Sequence, residues 1–140
     1  MKLLIDINVI LDVVLARQPW ARQSSQLLAA VEGERAEGYV AAHTITTVHY
    51  IVAREKGKDV AARAVTDILR IVGVVSIGKA DFHQALVLGI NDFEDAVQAA
   101  AALQIGADYL ITRNTKDFKS GSIEVRTPGE LLTMFQRSQS

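Results

Sequence analysis

The sequence predicts an α/β fold, a three-layer α/β/α sandwich around a central, mainly parallel sheet. Three observations point to it. Short apolar runs alternate with longer stretches of helical periodicity along the chain. Two of the runs, Leu3-Leu4-Ile5 and Tyr109-Leu110-Ile111, are apolar without alternation, as strands covered on both faces are. Strands separated by helices pair in parallel through right-handed crossovers, which places helices on both faces of the sheet.

Residues 3–7 read as the first buried strand, followed by helices over 9–17 and 21–32, the second with Leu27, Leu28 and Val31 on one face. A short strand is expected over 39–42, then a helix over 44–56 stopped by Gly57. Asp59 is expected to cap the next helix, which carries Val60, Ala64, Val65, Ile68, Leu69 and Val72 at helical spacing. A strand over 74–77 lies between two glycines, and helices over 79–88 and 92–105 end at Gly89 and Gly106. Strands over 109–112 and, more weakly, 123–126 precede a last helix over 128–136 with Pro128 near its start. Residues 1–140 are expected to form one domain, with 135–140 as a frayed tail.

Composition narrows the function. With 49% apolar and 22% charged residues, the chain has the makeup of an ordinary globular protein. It has no cysteine, which excludes a disulfide framework, a thiolate zinc site and a cysteine nucleophile, and fits a cytoplasmic setting. His43, His49 and His83 share no zinc spacing. The opening apolar run ends at Asp6 and the next is broken by Asp12, so neither reads as a signal peptide or a membrane span. A net charge of −1 means that any nucleic-acid binding must come from a local patch.

Ligands of open α/β sheets bind beyond the carboxyl ends of the strands. The first strand ends in Asp6-Ile7-Asn8, and the 109–112 strand ends in Thr112-Arg113-Asn114, with Asp117 close behind. Asn91-Asp92-Phe93-Glu94-Asp95 opens a crossover helix whose start lies at the same rim. Asp6, Asp95, Asn114 and Asp117 are thereby expected to share it. Clustered carboxylates need a compensating cation, and oxygen ligands suit Mg2+ or Mn2+, ions able to polarise a phosphodiester and activate water. Plainer roles exist for several of these groups: Asp92 as a helix N-cap near Asp95, Glu94 as a solvated acid, Asn114 and Asp117 as turn residues. Arg113, Lys116 and Lys119 stand beside the rim, where cations can hold phosphates or simply be solvated. Trp20, after Pro19, reads as a packing residue or part of a partner surface.

Together the motifs resemble the PIN-domain family, including VapC-like toxins of toxin–antitoxin pairs. The resemblance runs from Leu3 to about Leu132. Leu3-Leu4-Ile5-Asp6-Ile7-Asn8-Val9 is similar to the family's first strand and first acid, the run from Asp95 to Leu103 to its acid-plus-alanine helix, and the run from Thr112 to Phe118 to its closing motif. The string from Asp92 to Gln98, Asp-Phe-Glu-Asp-Ala-Val-Gln, points to one subfamily. What the resemblance implies is a metal-dependent ribonuclease with an RNA substrate, a homodimer, and silencing by a small antitoxin. In it Asp6 and Asp95 would hold the metal, Asp117 and Asp92 would complete the pocket, Asn114 would orient a water or phosphate oxygen, and Thr112 would support Asp6 by hydrogen bonding.

The chain departs from the family pattern at Thr47, where relatives commonly carry a glutamate. Asn114 likewise stands where some relatives have aspartate. A site one carboxylate short favours a second reading, a non-catalytic module that binds RNA or a protein partner. A third, a haloacid-dehalogenase-type phosphatase, also needs an aspartate after the first strand but requires an acid two residues on; that position is Asn8.

Overall fold

A computed structural model describes residues 1–118 and 122–139. Its core is a five-stranded sheet, β1 (Lys2–Ile5), β2 (Glu37–Ala41), β3 (Gly73–Val75), β4 (Tyr109–Ile111) and β5 (Val125–Arg126), in the order β3-β2-β1-β4-β5 with every pair parallel. The order reverses at β1: successive strands build outward through β2 and β3 on one side, and through β4 and β5 on the other. In such sheets the reversal opens a crevice at the strand ends, here between β1 and β4.

Among the described residues, seven α-helices cover the two faces. On one lie α1 (Ile7–Val14), α2 (Ala21–Glu32), α3 (Ala42–Lys56), α4 (Lys58–Ile71) and α7 (Pro128–Gln139); on the other lie α5 (Lys79–Val87) and α6 (Phe93–Gln104). The period-2 geometry of strands divides the core accordingly. Leu3, Ile5 and Ile111 join Val9, Ile10, Leu27, Val48 and Leu131 in one apolar layer, while Leu4 and Leu110 join Ala96, Val97 and Ala99 to Ala102 in the other. The alanines of α6 let that helix lie close against the sheet. Gly38 serves the same end in β2: a Cβ there would stand 2.8 Å from Val31 Cγ1. This is the three-layer α/β/α sandwich expected.

Element ends differ from expectation where local patterns mislead. β2 starts at Glu37, and Ala42 already belongs to α3, which follows the strand without a loop. α1 stops at Val14 rather than at 17. Asp59 does not cap α4; Gly57 holds the cap position, at a φ of +94° that favours glycine, and Asp59 lies inside the first turn. The frayed tail gives way to helix: α7 continues to Gln139, with Phe135 buried. Its start is a reciprocal capping box, Thr127 Oγ1 accepting from the Glu130 N–H while Glu130 Oε1 accepts from the Thr127 N–H. Among the described residues no helix is long and apolar enough to cross a membrane.

Candidate active site

Asp6 is the residue directly after β1, at the point where strand order reverses. Its backbone N–H donates to Ile111 O, which extends the β1–β4 pairing by one step and carries the side chain over the rim. The residue is 2% exposed, and both carboxylate oxygens are held: Oδ2 accepts from Thr112 Oγ1 at 2.7 Å and Oδ1 from Gln98 Nε2 at 2.9 Å. Burial pushes this carboxyl above its usual range, and the hydrogen bonds from Thr112 and Gln98 pull it back.

Asp95 lies in the first turn of α6, half-buried. The helix begins with Asp92 as N-cap, whose Oδ1 accepts from the Asp95 N–H at 3.0 Å. Burial, followed by the charges of Asp6, Asp92, Asp117 and Glu94, pushes the Asp95 carboxyl up to about 7. Glu94 is raised in its turn by burial, Asp92 and Asp6, although its side chain reaches solvent. Four acids thus bear on Asp95 at one rim. Asp117 joins them from a 3-10 helix, Thr115–Phe118, whose end is anchored by the buried Phe118.

Two polar residues absent from the expected site hold its parts in place. Gln98, 0% exposed, lies one turn beyond Asp95; its Nε2 reaches Asp6 and, at 3.4 Å, Asp95 Oδ1, while its Oε1 accepts from the Ile7 N–H at 2.9 Å. Asp12, 0% exposed on α1, receives the Arg113 guanidinium in a fork, Nε to Oδ2 at 2.8 Å and Nη2 to Oδ1 at 3.3 Å. Each is the lone polar side chain in an otherwise apolar stretch, and that is the trace they leave in the sequence.

The remaining expected residues fall as follows. Thr112 is fully buried, donates to Asp6 and accepts from the Asn114 N–H at 3.1 Å. Asn114 and Lys116 are exposed beside Asp117. Arg113, beside the rim, pairs its guanidinium with Asp12 and lays it over the Trp20 ring at 3.8 Å. Lys119 lies outside the described residues. Thr47 is half-buried in the second turn of α3.

The donor set is all oxygen, with a mutual repulsion that a cation would relieve, and it suits Mg2+ or Mn2+ better than a soft metal. Among the described residues, no three His, Cys, Asp or Glu side chains form a ready-made metal-holding group. An ion of the Mg2+ kind does not require one, because it keeps several waters and binds through one or two carboxylates. Asp6 and Asp95, bridged by the Gln98 amide, fit that demand.

A sequence profile described as the PIN domain matches residues 2–116. The chain is 31% identical, over 137 residues covering 92% of each chain, to "Ribonuclease VapC1" of Aquifex aeolicus (strain VF5). Its fold is similar to that of VapBC2 from Rickettsia felis bound to a promoter DNA fragment, with a TM-score of 0.70 at 14% identity, over 91% of this chain and 98% of the other. It is also similar to VapC20 of Mycobacterium tuberculosis, described as a sarcin-ricin loop cleaving toxin, with a TM-score of 0.69 at 16% identity over 86% and 95% of the two chains.

Proposed function

The chain belongs to the PIN-domain family, and from that premise we propose that it is a divalent-metal-dependent endoribonuclease, the toxin of a type II toxin–antitoxin pair acting in the cytoplasm. The observation that carries this reading is the buried Asp6, held by Thr112 and Gln98, beside an Asp95 that burial and then neighbouring carboxylates push up to about 7. The name of the Aquifex aeolicus relative supports the same activity. We assign the chain further to the subfamily that carries the Asp92–Gln98 string.

Asp6 and Asp95 would hold a Mg2+ or Mn2+ ion, with Asp117 and Asp92 completing the acidic pocket. When bound, the cation supplies Lewis-acid polarisation of the phosphodiester and lowers the pKa of water. Thr112 and Gln98 fix the Asp6 carboxylate so that its charge is aimed before substrate arrives. Asn114, exposed at the rim, orients the attacking water or a phosphate oxygen. Arg113 and Lys116 are the candidates for a substrate phosphate, the Arg113 guanidinium being oriented by its pairing with Asp12. Phosphoryl transfer of this kind rests on positioning and charge stabilisation, and no protein nucleophile is required.

The partners follow the same reading. An apolar groove between α1, α2 and α4, lined by Val13, Val14, Leu28, Val60, Ile68 and Ile71, suits an apolar segment of a small antitoxin. The exposed Phe82, Leu86 and Val87 of α5 suit a second copy of the chain in a homodimer. The whole chain, 1–140, acts as one domain.

Thr47 favours a second reading, a non-catalytic module that binds RNA or a protein partner. The two separate in one experiment: cleavage of a labelled single-stranded RNA panel by wild type, Asp6→Ala and Asp95→Ala, each with Mn2+, Mg2+ or chelator. The nuclease reading expects cleavage that requires metal and disappears in both variants. Folded, antitoxin-free protein that binds the panel without cutting it supports the binding module.

A further inference from the structure

We infer that Asp12 is a positioning residue: through Arg113 it sets where the segment after β4 presents Asn114 and Asp117 to the acidic rim. The inference rests on the metal-site reading above and adds to it a device away from the carboxylates themselves.

The geometry is that of a two-point clamp. Residues 112 and 113 are consecutive, yet each is tied to a different part of the chain's start. Thr112 donates to Asp6 at 2.7 Å, directly ahead of α1, and Arg113 forks onto Asp12, in the second turn of α1. Downstream, the Asn114 N–H returns to Thr112 Oγ1, the Asp117 N–H donates to Asn114 O at 3.1 Å, and the buried Phe118 closes the segment. The exposed Asn114, Lys116 and Asp117 therefore hang between fixed points.

The chemistry of the clamp favours orientation over stability. Asp12 is wholly buried, and Arg17 Nη1 adds a second, looser cation at 3.8 Å from its Oδ1. Burying a charge pair costs desolvation that an apolar pair of similar volume would avoid, so the pair is weak evidence for stability as such. What it supplies is direction. A planar guanidinium meeting a carboxylate through two nitrogens has one favourable orientation, and the Trp20 ring against the same guanidinium restricts it again. A lysine would keep the charge and lose the direction.

The test compares wild type, Arg113→Lys, and a double variant, Asp12→Leu with Arg113→Met, that removes both charges together. The double variant keeps the proposal falsifiable where Asp12→Asn alone leaves Arg113 unpaired and fails to fold. Each full-length protein is titrated with Mn2+ and free ion is read by electron paramagnetic resonance. Cleavage of labelled RNA is resolved into kcat and KM, and urea unfolding and hydrogen exchange over 112–118 are followed in chelator. We expect the double variant to unfold near the wild-type midpoint, with faster exchange over 112–118. Both proteins should bind Mn2+ about tenfold more weakly, as outer-shell changes at metal sites do, with kcat falling and KM little changed. Folded variants with wild-type Mn2+ affinity and kcat would overturn the positioning role, whatever their exchange. Wild type that neither binds Mn2+ nor cuts RNA would overturn the nuclease reading first, leaving Asp12–Arg113 a structural ion pair and nothing more.

Discussion

Gln98 holds Asp6 from across the sandwich: its Nε2 donates to Asp6 Oδ1 at 2.9 Å, and its Oε1 accepts from the N–H of Ile7, the residue beside it. One buried amide thus satisfies a carboxylate and the first free N–H of α1 at once, with its identity fixed by needing both a donor and an acceptor. Gln98→Leu strips the Ile7 N–H of its acceptor and Asp6 of one of its donors, leaving the Thr112 bond in place, and should destabilise the protein by about 1–3 kcal/mol. Gln98→Glu keeps the acceptor and loses the donor, adding a charge beside Asp6 and Asp95. Chelated Gln98→Glu should therefore unfold more easily than Gln98→Leu as pH rises, and Mn2+ should recover part of the loss. Urea melts with and without Mn2+ check both; equal midpoints for wild type and the two variants would show that the amide is not needed.

Asp95 makes the metal-free protein pH-sensitive in a direction opposite to that of a salt-bridged acid. Its folded carboxyl, raised to about 7, keeps a proton that the unfolded chain has released above the ordinary value of 3.8. Between those values the folded state binds more protons than the unfolded one, so stability falls as pH rises through the window and levels off above it. Asp6, also raised, adds to the same trend. Asp95→Asn should raise the chelated protein's Tm at pH 8 and leave it nearly unchanged at pH 4, and wild-type affinity for Mn2+ should strengthen as pH rises to about 7. Thermal melts in chelator from pH 4 to 8 read the first effect and Mn2+ titrations the second. A wild-type Tm that climbs steadily over that range would contradict the assignment.

Thr112→Val removes a hydroxyl with little change of shape. It deprives Asp6 of its 2.7 Å donor and the Asn114 N–H of its acceptor. The expected cost is about 1–3 kcal/mol of stability and roughly a 10–100-fold loss of metal affinity or activity. Thr112→Ser, which keeps the hydroxyl, should recover most of the activity, measured as kcat/KM on labelled RNA. If valine and serine behave alike, the hydroxyl has no part in aiming Asp6.

The residues legible in the sequence are those whose roles follow from local pattern. The uninterrupted apolar runs of β1 and β4 announce central strands, and Asp6 and Thr112 stand at strand ends where a buried polar group has no surface explanation. Gln98 and Asp12 are quieter, each a single polar letter in an apolar run, 96–103 and 9–16, and their partners come from other elements. Arg113 reads as a possible phosphate ligand from its place beside the acids, while its pairing with Asp12, 101 residues earlier, leaves no local trace. The end of α7 was illegible for the same reason. Arg35 places its guanidinium 4.8 Å from the Phe135 ring and donates to the Phe135 carbonyl, a contact across 100 residues that no local pattern contains.

Thr47 offers the sharpest test of how far the acidic rim can be completed. It is half-buried in the second turn of α3, a helix that starts directly where β2 ends, beside β1 in the sheet. A carboxylate introduced by Thr47→Glu would add a donor to the metal and a like charge to Asp6 and Asp95. These effects have opposite signs in the two states. Without metal the added repulsion should lower the Tm at pH 8, above the value of about 7 to which Asp95 is raised. With metal the extra oxygen ligand should lower the Mn2+ concentration for half-maximal cleavage by about tenfold, equivalent to ~1.4 kcal/mol of binding. The paired measurement, Tm in chelator and the Mn2+ dependence of RNA cleavage, separates this from a general change in stability. A lower Tm with unchanged Mn2+ dependence would place the new carboxylate away from the metal, and the departure at Thr47 would then have no bearing on the site's affinity for its ion.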